Sequence, residues 1–175
     1  MQTISSEYLE MQKYLHKNKN YGTASLTFAP LVANLIRQTN IKSLCDYGAG
    51  KKRLLHGIQS LGVNLETYYP YDPVYPEYGP PRCAELVCCI DVLEHIEPDK
   101  LEAVLSDLWS ITTHIGFFSI HTSAAAKFLP DGRNAHLIQE STSWWLPKIC
   151  NYFEVLQLSH ANTNGNGFWL VVSRK

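Results

Sequence analysis

The chain has 175 residues, 45% hydrophobic, 11% aromatic and 18% charged, which suits one domain with enough apolar material for a buried core and argues against disorder or a fibrous repeat. With 15 Lys and Arg against 16 Asp and Glu the formal charge is -1, so no overall polycationic character points to nucleic acid or an anionic membrane. The longest purely apolar runs, such as Leu86-Val87-Cys88-Cys89-Ile90, are five residues, against the ~20 needed to cross a bilayer.

The first 20 residues are polar and lack the apolar centre of a secretory signal, so a cytoplasmic location is expected. Charge is uneven along the chain. Residues 1–60 hold eight Lys/Arg and three Asp/Glu, and residues 61–175 hold seven and thirteen. Lys13, Lys17, Lys19, Lys51, Lys52 and Arg53 therefore form a candidate basic face, with mutual neutralisation inside the fold as the alternative. The five cysteines (45, 83, 88, 89, 150) are odd in number and include no CxxC pair. Buried reduced thiols are expected and a metal site is not.

Taken in order, residues 8–15 and 30–36 suggest two helices, and residues 1–40 together read as an amino-terminal helical cap or lid on a domain spanning 41–175. Residues 43–47 form a strand candidate ended by Gly48-Ala49-Gly50. Leu54, Leu55, Ile58 and Leu61 then recur at helical spacing until Gly62. Residues 65–71 read as a second strand. The segment that follows carries Pro70, Pro73, Pro76, Pro80 and Pro81 among Tyr69, Tyr71, Tyr75 and Tyr78. That proline density forbids a helix. Its tyrosines are expected over a ligand or on the sheet edge, and a polyproline ligand for a partner domain is the competing reading.

Residues 85–92 are nearly continuously apolar, as in a strand of a parallel sheet covered on both faces. Pro98 suits a first helical turn, and Leu101, Val104, Leu105 and Leu108 form the stripe of a helix to about residue 112. A strand at 116–120 and a polar loop over 122–140 follow. Ser141 or Ser143 caps a helix to about 151, and strands at 153–158 and 167–173 flank the turn-rich Asn162-Thr163-Asn164-Gly165-Asn166-Gly167. This alternation predicts an α/β fold, a Rossmann-like, doubly wound, mostly parallel sheet with a C-terminal antiparallel hairpin, shortened after the second strand. Ligands bind such sheets where the parallel strands end, which directs attention to residues after the first three strands.

There the chain carries Asp46-Tyr47-Gly48-Ala49-Gly50, then Asp72 ending the second strand, then Asp91-Val92-Leu93-Glu94-His95. The first is neither a phosphate-cradling loop, since no Gly-Lys-Ser/Thr follows, nor a full dinucleotide fingerprint, since Arg53 stands at the third small position. An ordinary strand-to-helix turn and a loop aspartate beside a proline are the structural alternatives. In this order and spacing, the three pieces resemble the class I S-adenosylmethionine-dependent methyltransferases, particularly their small-substrate branch. The likeness covers 43–120 by motif and extends loosely to 158 through His136, Ser141 to Trp145 and Phe153-Glu154-Val155.

The resemblance implies S-adenosylmethionine as cofactor. It places Gly48 and Gly50 near the methionyl part, Asp72 at the ribose and Asp91 with Val92 along the pocket, adds Asp46, Ala49 and Pro73 as further cofactor-binding candidates, and sets Tyr21 in a covering segment. Lys52 occupies the usual place of a third glycine, where it narrows the pocket or brings a cation to the cofactor carboxylate. Methyl transfer needs a base only for an acceptor that is protonated at neutral pH. His121, His136 and His95 are the candidates, each with a purely structural alternative, and His121 is preferred because the family fold sets the end of its strand beside the transferable methyl. Lys127, Arg133 and Asn134 suit acceptor recognition. The expected acceptor is a small or nucleotide-like molecule, since the chain has no Asn/Asp-Pro-Pro-Tyr/Phe run for a flipped base. Two alternatives stand: a nucleic-acid methylase using the basic face, and a cofactor-binding subunit or sensor without catalysis.

Overall fold

The computed structural model describes residues 2–160 and 166–175. Its first helix, α1 (Ser6–His16), starts where Ser5 Oγ accepts the Tyr8 amide at 3.2 Å, a side-chain N-cap. The second, α2 (Ala24–Thr39), begins six residues before the sequence-predicted start. Pro30 was expected to open it and instead sits inside it. Ala29, Val32, Ala33 and Ile36 form a buried stripe against Leu54 and Ile58 of α3 (Arg53–Ser60), and that packing outweighs the one helical bond a proline deletes.

The strands are β1 (Ser43–Tyr47), β2 (Thr67–Tyr71), β3 (Ala84–Ile90), β4 (Thr112–His121), β5 (Phe153–His160) and β6 (Gly167–Arg174). Their spatial order is β2-β1-β3-β4-β6-β5. β1 pairs in parallel with β2 and β3, and β3 with β4, while β6 runs antiparallel to both β4 and β5. This is the predicted mostly parallel sheet with its terminal hairpin. Residues 162–165 of the predicted hairpin turn lie outside the described residues. Between β2 and β3 only a 3-10 turn at Pro76–Tyr78 forms, as the prolines dictate.

Each face of the sheet has its own core. One holds α4 (Leu101–Ile111) and α5 (Thr142–Cys150) over Cys45, Val87, Cys89, Phe118 and Leu170; the other holds α2 and α3 over Leu44, Leu86, Cys88 and Phe117. Cys88 and Cys89 thus face opposite layers, as period-two alternation requires. All five cysteines are free, but only Cys45, Cys88 and Cys89 are buried; Cys83 is exposed and Cys150 half-buried, which corrects the expectation of five buried thiols. α2 packs in the sheet's helical layer against α3, while its first turn, with α1 and the segment between them, reaches the carboxyl ends of the strands.

The 122–140 loop is anchored as well as polar. Leu129, Ala135 and Ile138 are buried, Phe128 and Asn134 form a short bridge, and the Ile138 amide donates to Glu94 O at 3.0 Å. This docking brings His136 to the end of β3.

Candidate active site

A cleft opens at the carboxyl ends of β1, β2 and β3. Asp46, Gly48, Ala49, Gly50, Asp72, Pro73, Asp91, Val92, His95 and Tyr21 all line it, together with Tyr8, Gln12 and His16 of α1. The elements explain the convergence. β1 ends at Tyr47, and Gly48 (φ +82°) and Gly50 (φ +48°) turn the chain into α3 through left-handed conformations that favour glycine. A Cβ on Gly48 would stand 2.3 Å from Val92 Cγ2, so that glycine lets the β1 and β3 loops touch.

The amides of this turn are already engaged. Gly48 N and Ala49 N donate to Tyr71 O at 2.7 and 2.9 Å, and Gly50 N donates to Asp72 Oδ2 at 2.9 Å. Val74 N donates to the other oxygen, Asp72 Oδ1, at 2.9 Å. The Gly48, Ala49 and Gly50 amides are thus not free to cradle a phosphate. The cleft instead presents three carboxylates, Asp46, Asp72 and Asp91, and among the described residues no Lys or Arg lines it. Burial pushes the Asp46 carboxyl up to about 7, against the lowering effect of the Tyr68 hydroxyl that donates to it at 2.6 Å. Burial also raises Asp72, opposed by its two backbone donors.

Lys52 takes the left-handed conformation (φ +57°) that explains why glycine suits this place. Its ammonium lies 4.3 Å from the Tyr78 ring centroid, and Tyr78 in turn donates to Gly50 O at 3.0 Å. Lys52 is absent from the cleft lining, contrary to the expectation that it narrows the pocket or meets a ligand carboxylate there. Lys51 Nζ donates to Asn18 O at 2.8 Å and to Tyr21 O, and Arg53 donates to Lys19 O and Gly22 O. These two cations of the predicted basic face clasp the backbone after α1. Tyr75 and Tyr78 stack on each other at 5.2 Å, with Tyr75 edge-on to His16.

The covering helix is tied to the β3 loop. Tyr8 Oη donates to His95 O at 2.6 Å, and Ser5 N and Oγ donate to the Glu97 carboxylate at 2.8 and 2.7 Å. His16, Tyr8 and Gln12 were not singled out from sequence, and Glu94 stood in the Asp91–His95 motif without a role of its own. Only their tertiary position marks them, although helical spacing could have put Tyr8, Gln12 and His16 on one face of α1. Burial lowers His16 to about 4, assisted by Lys51, so it is neutral, and its Nδ1 is buried without a partner.

The three candidate histidines form one row. His95 and His136 have ring centroids 4.7 Å apart, and His136 and His121 are 5.0 Å apart. Burial lowers His95 to about 4 and lowers His136 as well. A second cleft adjoins the first through Asp91 and Ala24, lined also by Phe28, Glu94, Ser119 and His121. Glu94 is fully buried. Burial and the adjacent Asp91 charge push its carboxyl well above the usual carboxylate range, and Oε1 accepts the His121 amide.

Lys127, Arg133 and Asn134 do not converge on either cleft. Asn134 Oδ1 accepts the Ala125 and His136 amides at 2.9 Å each, holding the loop closed. Arg133 pairs with Asp131 at 2.6 Å, and Lys127 is exposed.

The chain has the class I S-adenosylmethionine-dependent methyltransferase fold. No family model and no curated protein matches it by sequence, and the likeness is to solved structures. It superposes on Burkholderia thailandensis 1,6-didemethyltoxoflavin-N1-methyltransferase, determined with 1,6-didemethyltoxoflavin and S-adenosylhomocysteine, with TM-score 0.69 and 13% identity over 100% of this chain and 92% of that one. A DhpI–SAH complex matches with TM-score 0.60 and 13% identity over 98% of each chain. Synechocystis PCC 6803 magnesium protoporphyrin IX methyltransferase (ChlM) with bound SAM matches with TM-score 0.59 and 13% identity over 97% of this chain and 92% of that one. At this identity the likeness is one of fold. No helix among the described residues is long and apolar enough to cross a membrane.

Proposed function

We propose that the protein is an S-adenosylmethionine-dependent methyltransferase acting on a small-molecule or nucleotide-like acceptor. One observation carries the reading: the cleft at the switch point of the sheet has three carboxylates, no Lys or Arg among the described residues and a glycine turn whose amides are all engaged. Such walls oppose a pyrophosphate and suit an unphosphorylated nucleoside bearing positive charge. Bound there, S-adenosylmethionine supplies a methyl group already activated on a sulfonium.

On this reading Asp72 accepts the ribose hydroxyls through the lone pairs its backbone donors leave open. Asp46 and Asp91 compensate positive charge, while Gly48, Ala49, Gly50, Pro73, Val92 and Tyr21 shape the walls. The second cleft takes the acceptor, since it shares Asp91 with the first and reaches the end of β4. His121 on its wall removes a proton from an acceptor that carries one, its ring lying against Ser123 through Nδ1. His136 and His95 extend the row behind it. The names of two fold relatives, a 1,6-didemethyltoxoflavin-N1-methyltransferase and a magnesium protoporphyrin IX methyltransferase, agree with a small acceptor. The engagement of Lys51 and Arg53 with the chain's own carbonyls argues against the nucleic-acid alternative, and the turning away of Lys52 argues against a blocked, non-catalytic site.

Calorimetry with S-adenosylmethionine, S-adenosylhomocysteine, ATP and NAD tests the proposal. The first two should bind and the phosphorylated nucleotides should not. Failure to take up S-adenosylmethionine at millimolar concentration overturns it. Incubation with labelled methyl donor and fractionated metabolite and nucleic-acid extracts then identifies the acceptor class.

A further inference from the structure

Asp91, His95 and His136 are brought together by three separate constraints. Asp91 leaves β3 in a left-handed conformation (φ +58°), a strained choice for a non-glycine residue, with its amide held by Ser119 Oγ at 3.1 Å. A 3-10 turn at Leu93–His95 then delivers His95 four residues on. The docked loop supplies His136. One ligating atom from each residue lies within 4.8 Å of the other two.

The histidines are oriented as metal ligands are. His95 Nδ1 lies 2.7 Å from Ala135 O, and His136 Nδ1 lies 2.6 Å from Ser123 O. A carbonyl oxygen only accepts, so each Nδ1 carries the proton and each Nε2 presents a lone pair. Backbone carbonyls holding the far nitrogens of two imidazoles are the usual outer support of a metal centre. Nearby, the fully buried Glu94 lies against Asp91, and its Oε1 accepts the His121 amide.

We infer that Asp91, His95 and His136 bind one divalent transition-metal ion at the junction of the two clefts. Two nitrogen donors and one carboxylate select Zn²⁺, Fe²⁺ or Co²⁺ over Mg²⁺ or Ca²⁺, which take oxygen. Bonds of 2.0–2.2 Å in tetrahedral geometry set ligand atoms ~3.4 Å apart, so closure from the present spacing requires a contraction of about 1.4 Å at most. Three protein ligands leave positions open, and Asp91 and His95 line the first cleft while Asp91 lines the second. Water fills those positions until an oxygen- or nitrogen-bearing molecule displaces it. On the methyl-transfer reading that molecule is the acceptor, but the metal site itself does not depend on that reading.

The test is Co²⁺ titration of chelator-treated, untagged protein, followed by visible d–d absorption, with Zn²⁺ as competitor. Saturation at about one ion per chain is expected, with His136→Ala and Asp91→Asn each weakening binding at least ~10-fold. His56→Ala and His114→Ala, at exposed histidines elsewhere, should leave it unchanged. Circular dichroism checks each variant, and His95→Gln replaces any that fails to fold. Absence of a saturable band at millimolar Co²⁺, or undiminished affinity in the folded ligand variants, overturns the inference. Uptake of the methyl donor is measured separately by calorimetry, so either reading can fail alone.

Discussion

Asp72 receives two backbone amides, Gly50 N and Val74 N, and still faces the cleft. Asp72→Ala is therefore expected to weaken S-adenosylmethionine binding by about 1–3 kcal/mol through lost charge-assisted hydrogen bonds. Asp72→Asn, which keeps one acceptor oxygen, should lose less; calorimetry on folded variants measures both, and equal affinity of Asp72→Ala and the unaltered protein would contradict the assignment. Asp46 makes a pH prediction. Its folded value of about 7 lies above an unfolded value of ~3.9, so its ionisation opposes folding. The penalty is absent below about pH 4, grows toward pH 7 and is complete above it. A cationic ligand favours the ionised form. Affinity for S-adenosylmethionine should then be full above pH 7 and fall by up to about tenfold per pH unit below it. Asp46→Asn should flatten that slope.

Among the elements, the turn between β1 and α3 is the most constrained. Gly48→Ala places a methyl 2.3 Å from Val92 Cγ2 in a left-handed backbone, and a loss of about 2 kcal/mol or more is expected in urea unfolding. Adding Val92→Ala should recover the steric part of that loss and leave the backbone part. The segment after α1 is held by Lys51 and Arg53 on the carbonyls of Asn18, Tyr21, Lys19 and Gly22. Lys51→Ala with Arg53→Ala should raise amide hydrogen exchange over 17–22 and weaken ligand binding, while the midpoint of global unfolding moves little. Uniform exchange rates in that segment would refute the clasp.

For the whole molecule, the sheet separates two apolar layers, and Phe118, fully buried and edge-on to Phe153 at 5.3 Å, joins β4 to β5 within one of them. Phe118→Ala should cost about 3–5 kcal/mol in denaturant unfolding. Much of this architecture is legible in the chain itself. The apolar run ending at Ile90, the glycine turn after Tyr47 and the prolines after Asp72 state a parallel strand, a strand-to-helix turn and a missing helix, because period, conformational freedom and a lost N–H are local properties. The acidic residues ending β1, β2 and β3 follow from the same alternation, which is why the carboxylates of the cleft could be named in advance. Other features depend on neighbours distant in sequence. Pro30 lies inside α2 because α3 packs against it, Lys52 turns to Tyr78, and Asn134 closes a loop instead of facing a ligand. His136 meets Asp91 and His95 because a carbonyl at Ala135 and an amide at Ile138 dock a 19-residue polar loop (122–140) on the β3 turn. Local chemistry determined the strands, the turn and the acids at their ends. Long-range packing and hydrogen bonding, which no stretch of chain encodes alone, decided which side chains converge there.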